Sequence, residues 1–127
     1  MDKPTRILFV CTGNSCRSVM AEHWFRKLCA EAELSVEIVS AGTDPREGMK
    51  ATEETLEILK RHGIDAAAHK ARRLSREMAA EADLIFVMEP LHRRRVSADF
   101  PDSAGKILHL SDFHPDSVFF DGIPDPF

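Results

Sequence analysis

Four short, mostly apolar runs divide the chain, and each contains β-branched residues. Runs of this length and composition predict buried β-strands. The predicted strands cover residues 6–10, 36–39, 84–88 and 107–110. Beyond residue 110, a high content of Asp, Pro and Gly predicts a loop that extends to residue 127.

Between the strands, apolar residues recur at the spacing of amphipathic helices. The predicted helices cover residues 17–32, residues 52–62, a stretch that begins near residue 75, and residues 90–98. In the first helix, the apolar face is predicted to consist of Met20, Trp24, Leu28 and Cys29, with Glu22 on another face.

Strands that alternate with helices along a chain are typical of βαβ units and therefore of a parallel sheet. The strands are continuously apolar rather than alternating, which indicates that the sheet is covered on both faces. We therefore predict one α/β domain over residues 1–127, a three-layer sandwich with a four-stranded parallel sheet flanked by helices. Ligands of such sheets bind beyond the carboxyl ends of the strands, near a switch point in strand order, and Cys11 lies at such an end.

Composition and charge narrow the class of protein. A length of 127 residues suits one domain with a substantial core. The net charge of -4 gives no electrostatic basis for nucleic-acid binding, and the short basic run at residues 92–95 is interpreted as a solvated helix face. No signal peptide or membrane-length apolar stretch is visible, so no membrane partner is predicted. Three cysteines form no disulfide framework, which predicts a reducing, cytoplasmic location.

The segment CTGNSCRS, residues 11–18, carries the strongest chemical signal in the chain. It places a thiol, Cys11, and a guanidinium, Arg17, at the two ends of one tight loop between a strand and a helix. Backbone N–H groups of such a loop can turn inward as an anion-binding nest, and the helix N-terminus adds its positive dipole end. The predicted phosphate-binding residues are Thr12, Gly13, Asn14, Ser15, Cys16 and Ser18.

Cys11 has the surroundings of a nucleophile. A helix N-terminus and a neighbouring cation favour the thiolate over the thiol, and a thiolate attacks without a separate base. Ser18 can donate a hydrogen bond that helps to hold the sulfur ionised. The planar fork of Arg17 suits two equatorial oxygens of a phosphoryl group, over which charge spreads during transfer.

The spacing of this loop argues against two other uses. An ATP-binding loop needs a Lys after its last glycine, whereas the cation here is Arg17 and the loop starts with a cysteine. A structural zinc site needs a second Cys or His pair at ligand spacing, and none follows Cys11 and Cys16. We therefore expect no metal and no cofactor.

Cys29 is interpreted as a core residue, and Cys16 is close enough to Cys11 to pair with it upon oxidation.

Over nearly its whole length, the sequence resembles the low-molecular-weight protein tyrosine phosphatase family. The shared motifs are CTGNSCRS at residues 11–18, MAE at 20–22, SAG at 40–42, HGI at 62–64, HKAR at 69–72 and DPF at 125–127. The resemblance implies that Cys11 becomes a phosphocysteine and that Arg17 clamps the phosphate. It also implies that Asp125 first protonates the leaving oxygen and then helps to activate water, roles that one carboxyl group can serve in turn.

Supporting residues and partners are also implied by the resemblance. Residues that brace the loop in the family match Asn14, Ser18, Ser40 and His69, although His69 alone could equally be a surface histidine. The implied substrate is a phosphorylated protein, first of all one carrying phosphotyrosine, or a small phosphomonoester. Phosphate and other oxyanions are the implied ligands.

Three departures from the family pattern bear on assembly and specificity. Family members normally continue into a final helix, which is not among these 127 residues, and an apolar patch left exposed would favour self-association. The loop after Ala41 has no aromatic residue, so Phe127 is predicted to be the only aromatic at the pocket rim. Ser15 stands where tyrosine phosphatases often carry a larger apolar residue, and here the loop resembles protein-arginine phosphatases and arsenate reductases.

Three alternatives compete with a tyrosine phosphatase. A thioredoxin-coupled arsenate reductase passes electrons to two further cysteines after the third strand, and residues 88–100 contain none. A protein-arginine phosphatase would use the same mechanism on a P–N bond. A non-catalytic oxyanion-binding module is disfavoured because Cys11, Arg17 and Asp125 occur together.

Overall fold

The computed structural model describes residues 4–113 and residue 122. In this part of the chain, strands and helices follow one another as the sequence predicts. The elements are β1 (Thr5–Cys11), α1 (Arg17–Glu31), β2 (Val36–Gly42), α2 (Glu53–Arg61), α3 (Arg76–Glu81), β3 (Leu84–Val87), α4 (Pro90–Asp99) and β4 (Ile107–His109). One difference concerns Leu110–Phe113, which forms a short 3-10 helix rather than the end of a strand and the start of a loop.

The four strands form one parallel sheet in the order β2-β1-β3-β4. β1 is therefore central, with β2 on one side and β3 on the other. At its carboxyl end, Cys11 is level with Gly42 of β2, and Val10 is level with Val87 of β3. The predicted fold class, an α/β sandwich with a four-stranded parallel sheet, is confirmed.

From Ile7 to Cys11, both faces of β1 are buried, which explains why this part of the strand is continuously apolar. Leu8 and Val10 point to one core cluster, and Ile7 and Phe9 point to another on the opposite face, as the two-residue repeat of a strand requires. The first cluster includes residues of α3 and α4, and the second includes Cys29 of α1. Helices therefore cover the sheet from both sides, and α2 packs outside α1.

The prediction of which residues of α1 face the core is wrong at two positions. Leu28 is 48% exposed, whereas Glu22 is only 2% exposed. Glu22 is buried because Ser40 donates a hydrogen bond to its Oε1 and Arg26 lies 2.7 Å from its Oε2. A carboxylate that is paired in this way can replace an apolar side chain at a buried helix position.

The N-terminus of α2 is joined to the loop that follows β1. Thr52 caps this helix by accepting a hydrogen bond from the Thr55 N–H at 3.2 Å, and the Thr52 N–H donates to the Ser15 carbonyl oxygen at 3.0 Å. Leu59 of α2 packs against Val19 of α1 in a third apolar cluster. The segment between β2 and α2 is thereby held beside residues 11–17.

The helices are short. α1, the longest in the described part of the chain, has 15 residues, and a membrane span needs about 20. Over residues 4–113 and 122, no helix is both long enough and apolar enough to cross a bilayer.

Candidate active site

The loop between β1 and α1 lies at the carboxyl edge of the sheet. From β1 the chain continues to β2 on one side and later returns to β3 on the other, which creates the switch point where ligands of such sheets bind. Cys11 is the last residue of β1 and is 2% exposed. Arg17 is the first residue of α1, and its side chain is 7% exposed. The predicted strand–loop–helix context of the segment is confirmed.

The Ser18 hydroxyl is directed at the Cys11 sulfur. The Ser18 Oγ lies 3.0 Å from the Cys11 Sγ, and the Asn14 Nδ2 donates to the same Oγ at 2.8 Å. Because an amide NH2 group can only donate, Ser18 accepts from Asn14 and keeps its own hydrogen available to the sulfur. A hydrogen bond that is donated to sulfur favours its ionised form.

Asn14 organises the loop from inside. It is fully buried and has a positive φ of 52°, a conformation that Asn adopts more readily than most residues. Its Oδ1 accepts from the Arg72 N–H at 3.1 Å, and its carbonyl oxygen accepts from the His69 Nε2 at 2.9 Å. Both contacts come from the segment before α3, which braces the loop from behind.

A second hydroxyl extends this network to α1. The Asn14 Nδ2 also donates to the Ser40 Oγ at 2.8 Å, so the Ser40 hydroxyl donates onward to the Glu22 carboxylate. Ser40 and Glu22 are both buried. The Glu22 carboxylate is thus the last group in a chain of hydrogen bonds that begins at the Cys11 sulfur. The sequence analysis did not predict this role of Glu22.

Glu89 is a further group that the sequence analysis missed. Its Oε2 lies 3.1 Å from the Arg17 Nη1, and the two side chains are 22% and 7% exposed. Glu89 directly precedes α4, at the carboxyl edge of β3. The ion pair helps to set the orientation of the Arg17 guanidinium. An acidic residue directly after a strand of a parallel sheet is the signal that points to this position.

His92 is fully buried, although it belongs to the run at residues 92–95 that was interpreted as a solvated helix face. That interpretation holds for residues 93–95, which are exposed, and is wrong for His92. The His92 Nδ1 accepts from the Glu89 N–H at 3.1 Å, so the neutral ring carries its proton on Nε2. Nε2 donates to the Thr12 Oγ1 at 2.8 Å and ties the loop to α4.

Gly42 leaves no room for a side chain beside the loop. A Cβ atom at this position would lie 2.5 Å from the Thr12 carbonyl oxygen and 3.2 Å from the Asn14 nitrogen. These neighbours are backbone atoms of the phosphate-binding loop, which cannot rotate away.

The Gly42→Ala substitution is therefore expected to distort the loop and to destabilise the protein by about 1–3 kcal/mol, because an added methyl group meets rigid backbone. Thermal unfolding and turnover of an aryl phosphate would measure the two effects. The matched control is Gly105→Ala, since a Cβ there meets no atom of the described chain within 4 Å. Equal stability and turnover in the two variants would contradict the expectation.

An open groove of about 880 Å³ adjoins the loop. It is bordered by Ser15 from the loop and by residues of the segment between β2 and α2. Charged residues of both signs line it, and none of the lining residues within the described part of the chain is aromatic. The charged lining residues are Asp44, Arg46, Lys50 and Glu53.

His23 of α1 lies behind the loop, next to His69, with ring centroids 6.1 Å apart. Its Nε2 is buried and has no hydrogen-bond partner among the residues that the structure describes. Burial lowers the pKa of His23 below its ordinary value, and Arg26 and His69 lower it further, while Glu22 opposes the shift. The imidazole is therefore neutral at pH 7.

The structure brings most of the predicted site residues together. Cys16 is a partly buried free thiol in the loop, and Ser40 and His69 contact Asn14 as described above. The predicted acid Asp125 and the predicted rim residue Phe127 lie outside the described residues. The predicted catalytic and supporting roles of all these residues remain predictions.

Comparisons with known proteins agree with this architecture. The sequence profile of the low molecular weight phosphotyrosine protein phosphatase family matches residues 6–127. The low molecular weight protein-tyrosine-phosphatase Ptp of Acinetobacter johnsonii is 34% identical over 121 residues, which are 95% of this chain and 79% of that protein. The protein-arginine-phosphatase of Geobacillus stearothermophilus is 38% identical over 126 residues, 98% of this chain and 80% of that protein.

Among solved structures, the low molecular weight protein tyrosine phosphatase from T. tengcongensis superposes with a TM-score of 0.87 at 38% identity. The match covers 97% of this chain and 82% of that one. The chain belongs to the low molecular weight phosphotyrosine protein phosphatase family. The family and the enzyme class predicted from the sequence, a cysteine-dependent hydrolase, are thereby confirmed.

Proposed function

We propose that this protein hydrolyses phosphotyrosine in proteins, or a similar phosphomonoester, through a phosphocysteine at Cys11. One observation carries the proposal: Asn14 directs the Ser18 hydroxyl at the Cys11 sulfur, 3.0 Å away, at the N-terminus of α1. A hydrogen bond and a helix dipole both favour a thiolate there. The partners are then phosphorylated proteins or small phosphomonoesters, and free phosphate or another oxyanion occupies the same loop.

In the first step, the Cys11 sulfur attacks phosphorus, an S–P bond forms and the ester P–O bond breaks. Arg17 binds two of the three equatorial oxygens, and the backbone N–H groups of the loop bind the remaining charge. The pairing of Arg17 with Glu89 supports this role, because it orients the guanidinium without a phosphate present. In the second step, water attacks phosphorus, the S–P bond breaks, and phosphate leaves.

The leaving oxygen must receive a proton in the first step, and we assign that proton to Asp125. Support comes from Gly122, three residues earlier in the chain, which has a φ of 118°. A Cβ on Gly122 would lie 2.8 Å from the Cα atom of Glu89, so the chain passes beside the residue that pairs with Arg17. In the second step the same carboxylate would take a proton from the attacking water.

Asp125→Asn is expected to lower kcat for an alkyl phosphate by about 10²–10³-fold, because the leaving group must then depart without a proton. Inhibition by inorganic phosphate should keep its strength, since binding depends on the loop. Asp102→Asn, on an exposed residue away from the loop, is the matched control. Parallel loss of phosphate binding would assign Asp125 a structural role instead.

Phosphoarginine is a second candidate substrate, and two observations favour it. Ser15 gives the loop a small polar side chain, and the groove beside it is lined by charged rather than aromatic residues among those described. Aromatic walls suit the ring of phosphotyrosine, whereas carboxylates such as those of Asp44 and Glu53 suit a guanidinium. The mechanism at Cys11 would be unchanged, with a P–N bond in place of a P–O bond.

A panel of substrates distinguishes these candidate activities. Initial rates on a phosphotyrosine peptide and a phosphoarginine peptide of the same sequence are compared, with thioredoxin-coupled arsenate reduction as a third assay. Rapid acid quenching during turnover should trap one phosphoryl group on the peptide that contains Cys11. Faster phosphoarginine hydrolysis would move the substrate to the second candidate, and absence of the phosphopeptide during turnover would overturn the mechanism. Arsenate reduction is not expected, because residues 88–100 supply no cysteine.

We also assign the protein to the cytoplasm. Cys11, Cys16 and Cys29 are free cysteines, and the proposed mechanism needs Cys11 reduced. Oxidation to a Cys11–Cys16 disulfide would stop turnover until a reductant restores the thiol. Self-association through an exposed apolar patch remains a prediction that sedimentation or light scattering can check.

A further inference from the structure

We infer that Glu22, His23 and His69 form a site for one zinc ion behind the phosphate-binding loop. Each residue offers a ligand atom, and the three atoms lie within 4.8 Å of one another. We call this group the His–Glu cluster. Its members come from α1 and from the segment before α3, whereas the prediction of no metal considered only ligand spacing around Cys11 and Cys16. The proposed reaction at Cys11 uses none of them as a contact to the substrate.

His69 already has the tautomer that a metal ligand needs. Its Nε2 lies 2.9 Å from the carbonyl oxygen of Asn14, and a carbonyl oxygen can only accept, so Nε2 carries the proton. A metal ion would then bind to the other ring nitrogen, Nδ1. Metal-binding histidines commonly donate their second N–H to a carbonyl or carboxylate oxygen, which fixes the ring. In His69 this second contact is in place.

His23 supplies a nitrogen that needs a partner. Its side chain is 14% exposed, yet the Nε2 atom is buried without a hydrogen bond in the described part of the chain. Buried polar atoms are nearly always paired, so an unpaired nitrogen that faces a carboxylate and a second imidazole indicates a vacant ligand position.

Glu22 supplies the negative charge. Its Oε2 lies 3.7 Å from the His23 Nε2 and 2.7 Å from the Arg26 Nη1. A metal ion would compete with Arg26 for this oxygen. The Arg26 side chain is 46% exposed and has a second partner, because its Nη2 donates to the Ile38 carbonyl oxygen at 2.6 Å. The other oxygen keeps its hydrogen bond from Ser40, which would hold the carboxylate in position to bind the ion.

Two imidazoles and one carboxylate are a ligand set that zinc accepts, with water in the fourth position. Zinc–ligand bonds of about 2.0–2.2 Å require the three atoms to move closer together, which small side-chain rotations can achieve. Ca²⁺ and Mg²⁺ prefer oxygen ligands and are poorly matched to this cluster.

The test measures Zn²⁺ binding directly, in the full chain carrying Cys11→Ser and Cys16→Ser. These substitutions remove the two loop thiols that would also bind Zn²⁺, and they make the result independent of phosphatase activity. Competition with a chromophoric chelator should give one Zn²⁺ per chain. Co²⁺ bound in its place should show the visible d–d bands of a tetrahedral site without thiolate-to-metal charge transfer.

In this background, His23→Gln is expected to weaken Zn²⁺ binding by roughly 10-fold or more, since even the loss of a residue that only orients a metal ligand costs about that much. His62→Gln, on an exposed histidine, is the matched control and should leave binding unchanged. Unchanged Zn²⁺ affinity in His23→Gln, or no binding in the parent, would overturn the inference.

Arg26→Gln provides a test that loss of folding cannot imitate. It removes the cation that competes for the Glu22 Oε2, so Zn²⁺ affinity should rise several-fold. A fall in affinity, in a variant whose circular dichroism matches that of the parent, would show that the ion does not bind at Glu22 and would count against the site.

Discussion

Replacing Cys11 with serine is expected to lower kcat for aryl phosphates by at least about 10⁴-fold, because the serine hydroxyl must lose a proton before it can attack. In the described part of the chain, the side chain bonded to the Cys11 sulfur is Ser18, a neutral hydroxyl that cannot serve as a strong base. The loop itself is unchanged, so phosphate should still bind. Single-turnover kinetics and phosphate titration measure the two properties separately.

Cys29→Ala is the matched control for this prediction. Cys29 is also a buried, free cysteine, but it packs in the core between α1 and the sheet. Its replacement should change stability more than turnover. If wild type and Cys11→Ser hydrolyse an aryl phosphate equally slowly, the protein is an oxyanion-binding module, and the proposed mechanism fails.

The sequence was sufficient for the sheet and the loop because both depend on local patterns. Within the run at residues 6–10, every position from 7 to 10 is apolar, as a strand covered on both faces requires. The segment at residues 11–18 carries its thiol, its cation and its turn residues within one loop. Neither feature depends on a contact far away in the chain.

The residues that the sequence analysis missed are polar groups paired with distant partners. Thr12 and His92, which share a hydrogen bond, are 80 residues apart. Glu22 occupies a buried helix position because Ser40 and Arg26 satisfy its carboxylate, and Leu28 is displaced to the surface. Hydrophobic periodicity ranks side chains by polarity alone, so it assigns a charged residue to solvent unless its partner is known.

Arg17→Ala is expected to lower kcat/KM by about 10³–10⁵-fold, the range found when a transition-state arginine is removed from phosphoryl transfer. Two effects combine in this variant. The fork that binds two equatorial oxygens is lost, and the Glu89 carboxylate, now without Arg17, repels the incoming phosphate. Phosphate binding should therefore weaken together with kcat, unlike in Asp125→Asn. Arg93→Ala, on the exposed face of α4, is the control and should keep nearly full activity.

Arg17→Lys separates the charge of this residue from its shape. Lysine retains a positive charge that can satisfy Glu89, but it cannot offer two parallel N–H donors to a phosphoryl group. We expect phosphate inhibition to recover most of its strength while kcat stays about 10²-fold or more below wild type, because the fork is needed most when charge spreads over the equatorial oxygens. Full recovery of kcat would mean that Arg17 acts only through its positive charge. The ion pair with Glu89 would then hold the charge in place, and the planar shape of the guanidinium would not stabilise the transition state.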